Sequence, residues 1–416
     1  MKINIRQKEA FHAVIIILMY CLITNFFNAR TLVESGVYSK VVSGLLYISP
    51  IIFFEEIQKS FRIKGIPFHV ASIAFLFVMG VFSALFFWRQ SIFNSVQALR
   101  DFLPLLFFFF LIKFKFSNRS ILIALISLSI LYVVCYFLSI SAYPNNYFGY
   151  IQELDEVYIE RVSEARGVLR LIGLPGNDLV VFVYCYILVK CHRNRAYMPL
   201  LLPLLIMVVL RGSRTPFFMV VLLSLIYYIS LVKDKLMVGL LVLTFFLISV
   251  YGYNVIMESR SDNVVVNYIQ MTDEQINGNK HEDIRVKNTK YFFSEFIGNP
   301  LTAIVGNGIP KQSGYSKIIE KLKDKGFYLS DVGITSIFVF WGVVGLFVYG
   351  WLFVTILRTS VNDDFMYGKL FAFYMFMILP TNVAMLSRSP ILFAISLYLI
   401  YKGSTGSVLT KRKQRR

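Results

Sequence analysis

Two arginines and a proline interrupt one of the most apolar stretches of the chain: "RGSRTP", Arg211 to Pro216, stands between "MPLLLPLLIMVVL" and "FFMVVLLSLIYYISLV". A guanidinium stays charged, presents a planar fork of donors and grips a phosphate through two hydrogen bonds at once. Pro216 suits the first turn of a following helix, with Ser213 or Thr215 as its cap. The exposed N–H groups at that helix start would join Arg211 and Arg214 around one anion. Ionisable groups set this deep between apolar segments are costly, and by default they mark a site.

More arginines stand in two long connections, 143–173 and 253–332. In the first, Arg161, Arg166 and Arg170 recur at spacings of five and four, close enough to the helical period to share roughly one face. The second carries Arg260, His281 and Arg285, and Arg388 precedes the last apolar segment. Arginines at helix ends also snorkel to lipid phosphates, which is the plain account of any single one. His281 reads as a solvated loop residue. Asp331, at the close of the second connection, fits two roles, a carboxylate in catalysis or a negative charge capping the next helix. In "SVQALRDFLPLLFFFFLIK" the apolar run after Asp101 is too short to span, so Arg100 and Asp101 fall inside a span or at the start of a re-entrant one. Adjacent helical residues do not face each other, so each needs another partner, as in a polar helix packed within a bundle.

The elements that must hold these groups follow from composition. Of 416 residues 57% are hydrophobic and 16% charged, and the mean hydropathy is +0.64. A single water-soluble core could not hide that much apolar surface, so the expectation is an all-α, polytopic membrane protein. Twelve apolar segments recur, at roughly 11–28, 41–56, 70–88, 95–112, 120–142, 174–190, 197–210, 216–232, 236–252, 333–357, 366–381 and 388–401. Basic residues fall on alternate connections: Lys2, Arg6 and Lys8; Lys59, Arg62 and Lys64; Lys113, Lys115 and Arg119; Lys190, Arg193 and Arg195; Lys233 and Lys235; Arg358; and the closing "KRKQRR". The positive-inside rule then puts both termini in the cytoplasm and both long loops outside. The net charge of +18 is accounted for by topology and attraction to anionic lipid, and nucleic acid is not an expected partner. The first apolar run has no small-residue cleavage site after it and reads as an uncleaved anchor. Cys21, Cys135, Cys185 and Cys191 show neither a disulfide framework nor zinc-ligand spacing. In the larger loop, amphipathic segments near 284–297 and 315–326 flank a Gly/Pro/Asn-rich turn region, 298–314.

Taken together, "LRGSRTPFFMVVLLSL" (210–225), the large loop after it, "EDIRVKNTKYFFSEFIGNPLTAIVGNGI" (282–309) and "SDVGITSIFVFWGVVGLFVYG" (330–350) resemble the O-antigen polymerase and O-antigen ligase superfamily. These are membrane glycosyltransferases of bacterial surface polysaccharides. The resemblance covers the chain from about residue 160 onward. It implies a glycosyltransferase architecture of the GT-C-like type in the bacterial inner membrane, with no metal or cofactor. The implied substrate is an undecaprenyl-pyrophosphate-linked glycan, and a chain-length regulator protein is an implied partner. It also implies pyrophosphate contacts from Arg214, Arg285 and Arg166; the residue pattern itself adds Arg211 and Arg170 to those contacts, and Arg285 and Asp331 are the candidate catalytic residues. The ligase branch carries a histidine where this chain has Asp331, so polymerase is favoured over ligase. A flippase for the same lipid-linked repeat is the rival from a different class, but such transporters usually show internal repeats, and the first half of this chain does not recur in the second.

Overall fold

The structure, a computed structural model, describes residues 5–27, 37–142, 150–152, 158–160, 162–165, 168–171, 174–210, 214–232 and 284–414. The expected segment 236–252, Arg161, Arg166, Arg211, Arg260 and His281 lie outside the described residues. The first half holds α1 (Ile5–Thr24), α2 (Val37–Ile52), α3 (Phe54–Ser60), α4 (Ile66–Trp88), α5 (Ile92–Ala98), α6 (Phe107–Phe114) and α7 (Asn118–Ser141). Four short strands follow: β1 (Tyr150–Gln152), β2 (Tyr158–Glu160), β3 (Val162–Ala165) and β4 (Val168–Leu171). The second half holds α8 (Asn177–Arg193), α9 (Leu201–Leu210), α10 (Arg214–Leu231), α11 (Ile284–Ser294), α12 (Pro300–Val305), α13 (Gly314–Asp324), α14 (Gly333–Arg358), α15 (Met366–Ile378) and α16 (Pro390–Gln414).

The long helices α4 and α7 are apolar on every side. On α4, Val70, Ile73, Phe77 and Ala84 are buried, while Phe75, Val78, Phe82 and Phe86 are exposed on the other face. A helix bordering water would turn polar residues outward; this one turns outward phenylalanines, so its outer surroundings are apolar as well. Among the described residues, Arg6–Thr24, Ile66–Trp88, Asn118–Ser141 and Gly333–Arg358 are long and apolar enough to cross a membrane, and two bent pairs raise these four candidates to as many as six. The chain is a helical membrane protein. Helices stand at eleven of the twelve positions expected from hydropathy, yet several are short. α15, with 13 residues, rises only about 20 Å against a hydrocarbon core of about 30 Å.

The basic connections gather at one end of the bundle. Arg193, closing α8, binds Asp364 at 2.8 Å and Asp363 at 3.3 Å ahead of α15. Asn118, opening α7, donates to the Asp364 carbonyl at 3.0 Å and accepts from the Tyr367 hydroxyl at 2.6 Å. Arg119 reaches Glu9 of α1 at 3.6 Å, Lys113 reaches Glu56 of α3 at 3.5 Å, and Tyr398 of α16 donates to the Phe116 carbonyl at 2.8 Å.

Two departures from regular helix shape the opposite end. α5 and the following helix, Leu103–Phe114, meet at 67°, with Arg100 and Asp101 in the break. Pro104, which has no N–H to donate, opens the second piece as a turn of 3-10 helix. The second departure is in α14, which is broken at Gly342 (φ 64°). The freed carbonyls of Val339 and Phe340 accept the N–H groups of Asn307 at 2.8 Å and Gly308 at 3.0 Å. The turn "GNGI" (306–309) is thereby inserted between α14 and α4. Only glycine fits there: a Cβ on Gly306 would stand 2.3 Å from the Phe340 carbonyl oxygen, and one on Gly342 2.3 Å from that of Ile304.

In the first long loop the strands form two antiparallel ribbons, β1 with β2 and β3 with β4. Arg170 stands opposite Ser163 in the second ribbon. It therefore does not share a helical face with its neighbours as its spacing suggested. Alternation of Leu169 and Leu171 about Arg170 favours a period of two, and the β-branched Val162 and Val168 fit a pleated strand.

Candidate functional site

At the end of the bundle away from the basic connections, the break between α5 and α6 opens two cavities. The first, about 400 Å³, is lined by Arg100, Asp101, Lys311, Lys323, Ser330 and Ser336 among polar residues. The second, about 390 Å³, is lined by Arg100, Asp101, Thr24, Asn25 and Ser387 together with Pro104, Pro175 and Pro390. Arg100, Asp101 and Ser387 border both. Arg100 is half-buried, and Asp101 has exposed surface although protein surrounds its carboxylate on most sides. Arg100 and Lys311 both act on that carboxylate's charge. Three cations against one carboxylate leave the first cavity electropositive, a setting for an anion larger than a chloride.

The roof of that cavity is held by the inserted turn. Gln90, buried just past the end of α4, uses its whole amide: Nε2 donates to Ser95 Oγ at 3.1 Å and to the Ile309 carbonyl at 3.0 Å. Its Oε1 accepts the Lys311 N–H and the Ser313 hydroxyl, both at 2.9 Å. No polar atom of that side chain is wasted, which makes the anchorage of Lys311 specific. Trp88 donates to Asn307 Oδ1 at 3.1 Å and stacks on Tyr315 of α13 at 4.4 Å. The Tyr315 hydroxyl donates to the Gly308 carbonyl at 3.3 Å, and burial pushes its pKa far above the ordinary phenol value, so it stays a neutral donor. α13, capped by Ser313 with Ser316 in a reciprocal box, then brings Lys323 over the opening.

The expected site residues are dispersed around this end. Asp331 closes a 3-10 turn, Leu329–Asp331, whose first two residues line the first cavity. The N-cap of α14 is Val332, without a side-chain cap, so Asp331 stands one residue ahead of the capping position considered for it. The turn is pinned by the buried Ser336 hydroxyl, which donates to the Leu329 carbonyl at 2.6 Å. Arg285 is exposed on α11. α11 packs against Thr335 and Phe338 of α14, with Phe293 stacked on Phe338 at 4.3 Å. Helical periodicity sets those two on the face of α14 turned away from Ser336 and Phe340, which line the cavity. Arg285 is not among the lining residues. Arg214 opens α10, at the helix start foreseen for it. Arg170's strand touches α7 and α9, and Tyr136 of α7 donates to the Leu210 carbonyl at 3.1 Å. Arg214 and the β4 strand therefore share one corner of the fold, Arg285 and Asp331 another.

Lys311 and Lys323 were not singled out from sequence, although as cations in the large loop they run against the same charge bias that marked the arginines. The four cysteines are free, and three of them are buried. Comparison with family models and with curated protein sequences returned no match.

Proposed function

We propose that this protein is a membrane glycosyltransferase that polymerises undecaprenyl-pyrophosphate-linked oligosaccharide repeats on the outer face of a bacterial inner membrane. The twelve-span topology with cytoplasmic termini belongs to the same proposal. The observation that carries it is Asp101, a carboxylate among cations at the junction of two cavities, at the end of the bundle opposite the basic connections. Polymerisation joins two lipid-linked glycans, and two confluent cavities offer room for a donor and an acceptor.

In the transfer, the acceptor hydroxyl forms a bond to the anomeric carbon of the donor sugar while the bond from that carbon to the pyrophosphate oxygen breaks. The pyrophosphate leaves with the electron pair, and the hydroxyl proton passes to Asp101 as general base. Arg100, Lys311 and Lys323 neutralise the growing charge on the leaving group. Pyrophosphate contacts from Arg214 and Arg285 are implied by the family resemblance alone; Arg285 does not line either cavity.

A strain deleted for the gene and complemented with Asp101→Asn tests this. The amide keeps the shape and loses the base, so surface polysaccharide should collapse from a ladder to single repeats at unchanged protein level. A full ladder from Asp101→Asn refutes the assignment. Long lipid-linked chains accumulating in the deletion strain would mean a ligase, and repeats trapped inside would mean a flippase.

A further inference from the structure

The turn that roofs the first cavity lies well below the ends of the two helices that grip it. Gly308 lies against Gly80 and Ala84 of α4, and Gly80 stands eight residues before Trp88, the last of that helix. On the other side Ile304 and Gly306 lie against Gly342 and Phe340 of α14, and Gly342 stands nine residues after the helix opens at Gly333. At 1.5 Å per residue both counts give a depth of about 12–13 Å, more than a third of a hydrocarbon core of about 30 Å. The chain enters and leaves at the same end. Phe296 lies parallel to the Trp88 ring at 6.3 Å before the descent, and the Lys311 N–H is held on Gln90, just past α4, after the return. Residues 296–310 between these two points carry no charge.

This hairpin is inside out compared with a turn in water. Asn307 and Thr302 are buried at 4% and 6% exposure, whereas Leu301 and Ile304 are 58% and 51% exposed. The polar groups are met by protein: the Thr302 hydroxyl donates to the Asn299 carbonyl at 2.6 Å, the Ser83 hydroxyl of α4 to the Val305 carbonyl at 3.4 Å, and the Gly306 N–H to the Thr302 carbonyl at 2.9 Å. Irregular backbone is tolerated at membrane depth only where protein satisfies it in this way. The outward side chains continue the apolar surface of the helices on either side, Phe82 and Phe86 of α4 and Val343 and Phe347 of α14, all exposed.

We infer that residues 296–311 form a re-entrant hairpin, and that Leu301 and Ile304 of α12 contact the acyl chains of the leaflet farther from the basic connections. The partner is bilayer hydrocarbon, because the depth of the turn and the lipid-facing residues beside it leave that face of α12 in the same surroundings as α4. The inference needs only those two observations and stands apart from the polymerase reading. Seated in this way, the hairpin returns Lys311 to the surface at the level where α4 ends, so the cationic roof of the cavity sits at the headgroup boundary.

The test uses the full chain in phosphatidylcholine nanodiscs in which some lipid carries a diazirine midway along one acyl chain. Photolabelling of the unaltered protein, followed by peptide mapping, should place adducts on Leu301 or Ile304 as well as on Phe82 and Phe86. Labelled α4 with an unlabelled hairpin overturns the inference. As an independent readout, Ile304→Cys should react with a charged, water-soluble maleimide at least about tenfold more slowly than Lys317→Cys on the exposed face of α13, and both should react fully in dodecyl sulfate. Equal rates for the two in nanodiscs would put α12 in water. Copies joined to each other through Ile304→Cys under mild oxidation would mean that a second copy covers this face, which also overturns the lipid assignment.

Discussion

Replacing Gly308 by alanine should wedge the turn that roofs the cavity away from α4. A Cβ there would stand 2.3 Å from the Gly80 carbonyl oxygen, 2.7 Å from the Ala84 Cβ and 2.8 Å from the Ala84 nitrogen. Two of those are backbone atoms of α4, and they cannot rotate aside. The residue also has φ +74°, where a side chain costs about 1–2 kcal/mol, and overpacking a filled site adds about 1–3 kcal/mol. Together these give about 2–5 kcal/mol. The least costly relief is for the turn to withdraw from α4, which gives up the Gly308 N–H bond to Phe340 and the Tyr315 bond to Gly308. Lys311, three residues on, then loses its place on Gln90. The assay is apparent thermal unfolding in detergent followed by tryptophan fluorescence, and Gly308→Ala should melt several degrees below the parent. Gly350→Ala is the control: it lies in α14 with no heavy atom within 4 Å, so it should be neutral or stabilising by about 0.5–1 kcal/mol. Should Gly308→Ala melt with the parent, the turn is not wedged between α4 and α14 as described.

Arg285→Lys keeps the charge and loses the planar fork, so little ladder should return if Arg285 grips pyrophosphate through two hydrogen bonds; normal polymer from Arg285→Ala at unchanged protein level removes it from the site. Arg214→Gln should abolish long chains while the protein still accumulates, and Arg211→Gln should be milder; a full ladder from Arg214→Gln assigns that arginine to snorkelling at the headgroups, with a stability change of no more than about 1 kcal/mol. Cysteine labelling in intact cells should reach positions 155 and 275 and spare 62, 193 and 410; protection of 275 would put the large loop on the cytoplasmic side and overturn the functional proposal.

The presence of helices was legible in the residues because hydrocarbon-facing helices need apolar side chains on every face, as α4 and α7 have them; their ends were less so, since α1 starts at Ile5 and α16 runs to Gln414. The shared basic end was legible too: Arg193 and Arg119 were grouped by charge alone, and the structure joins Arg193 to Asp364 and Arg119 to Glu9 at one end of the bundle. The break at Arg100 and Asp101 was half-legible, since Pro104 and two charges inside an apolar run forbid a plain span. Its partners were not legible, because Lys311 lies more than two hundred positions away. The turn "GNGI" read as a turn; its insertion depends on the broken α14, and no local pattern around Gly342 announces which carbonyls that break frees. The position of Arg285 relative to the cavity depends on which face of α14 receives α11, a packing choice that periodicity alone leaves open.

The most direct measurement combines purified protein in liposomes with a single defined undecaprenyl-pyrophosphate-linked repeat and no nucleotide sugar. Polymerisation predicts a ladder of lipid-linked chains at integral multiples of the repeat, with one undecaprenyl pyrophosphate released for each bond formed. It should be lost in Asp101→Asn and present in Gly350→Ala. A repeat that stays at unit length, whether it remains in place or merely crosses the bilayer, would contradict the account.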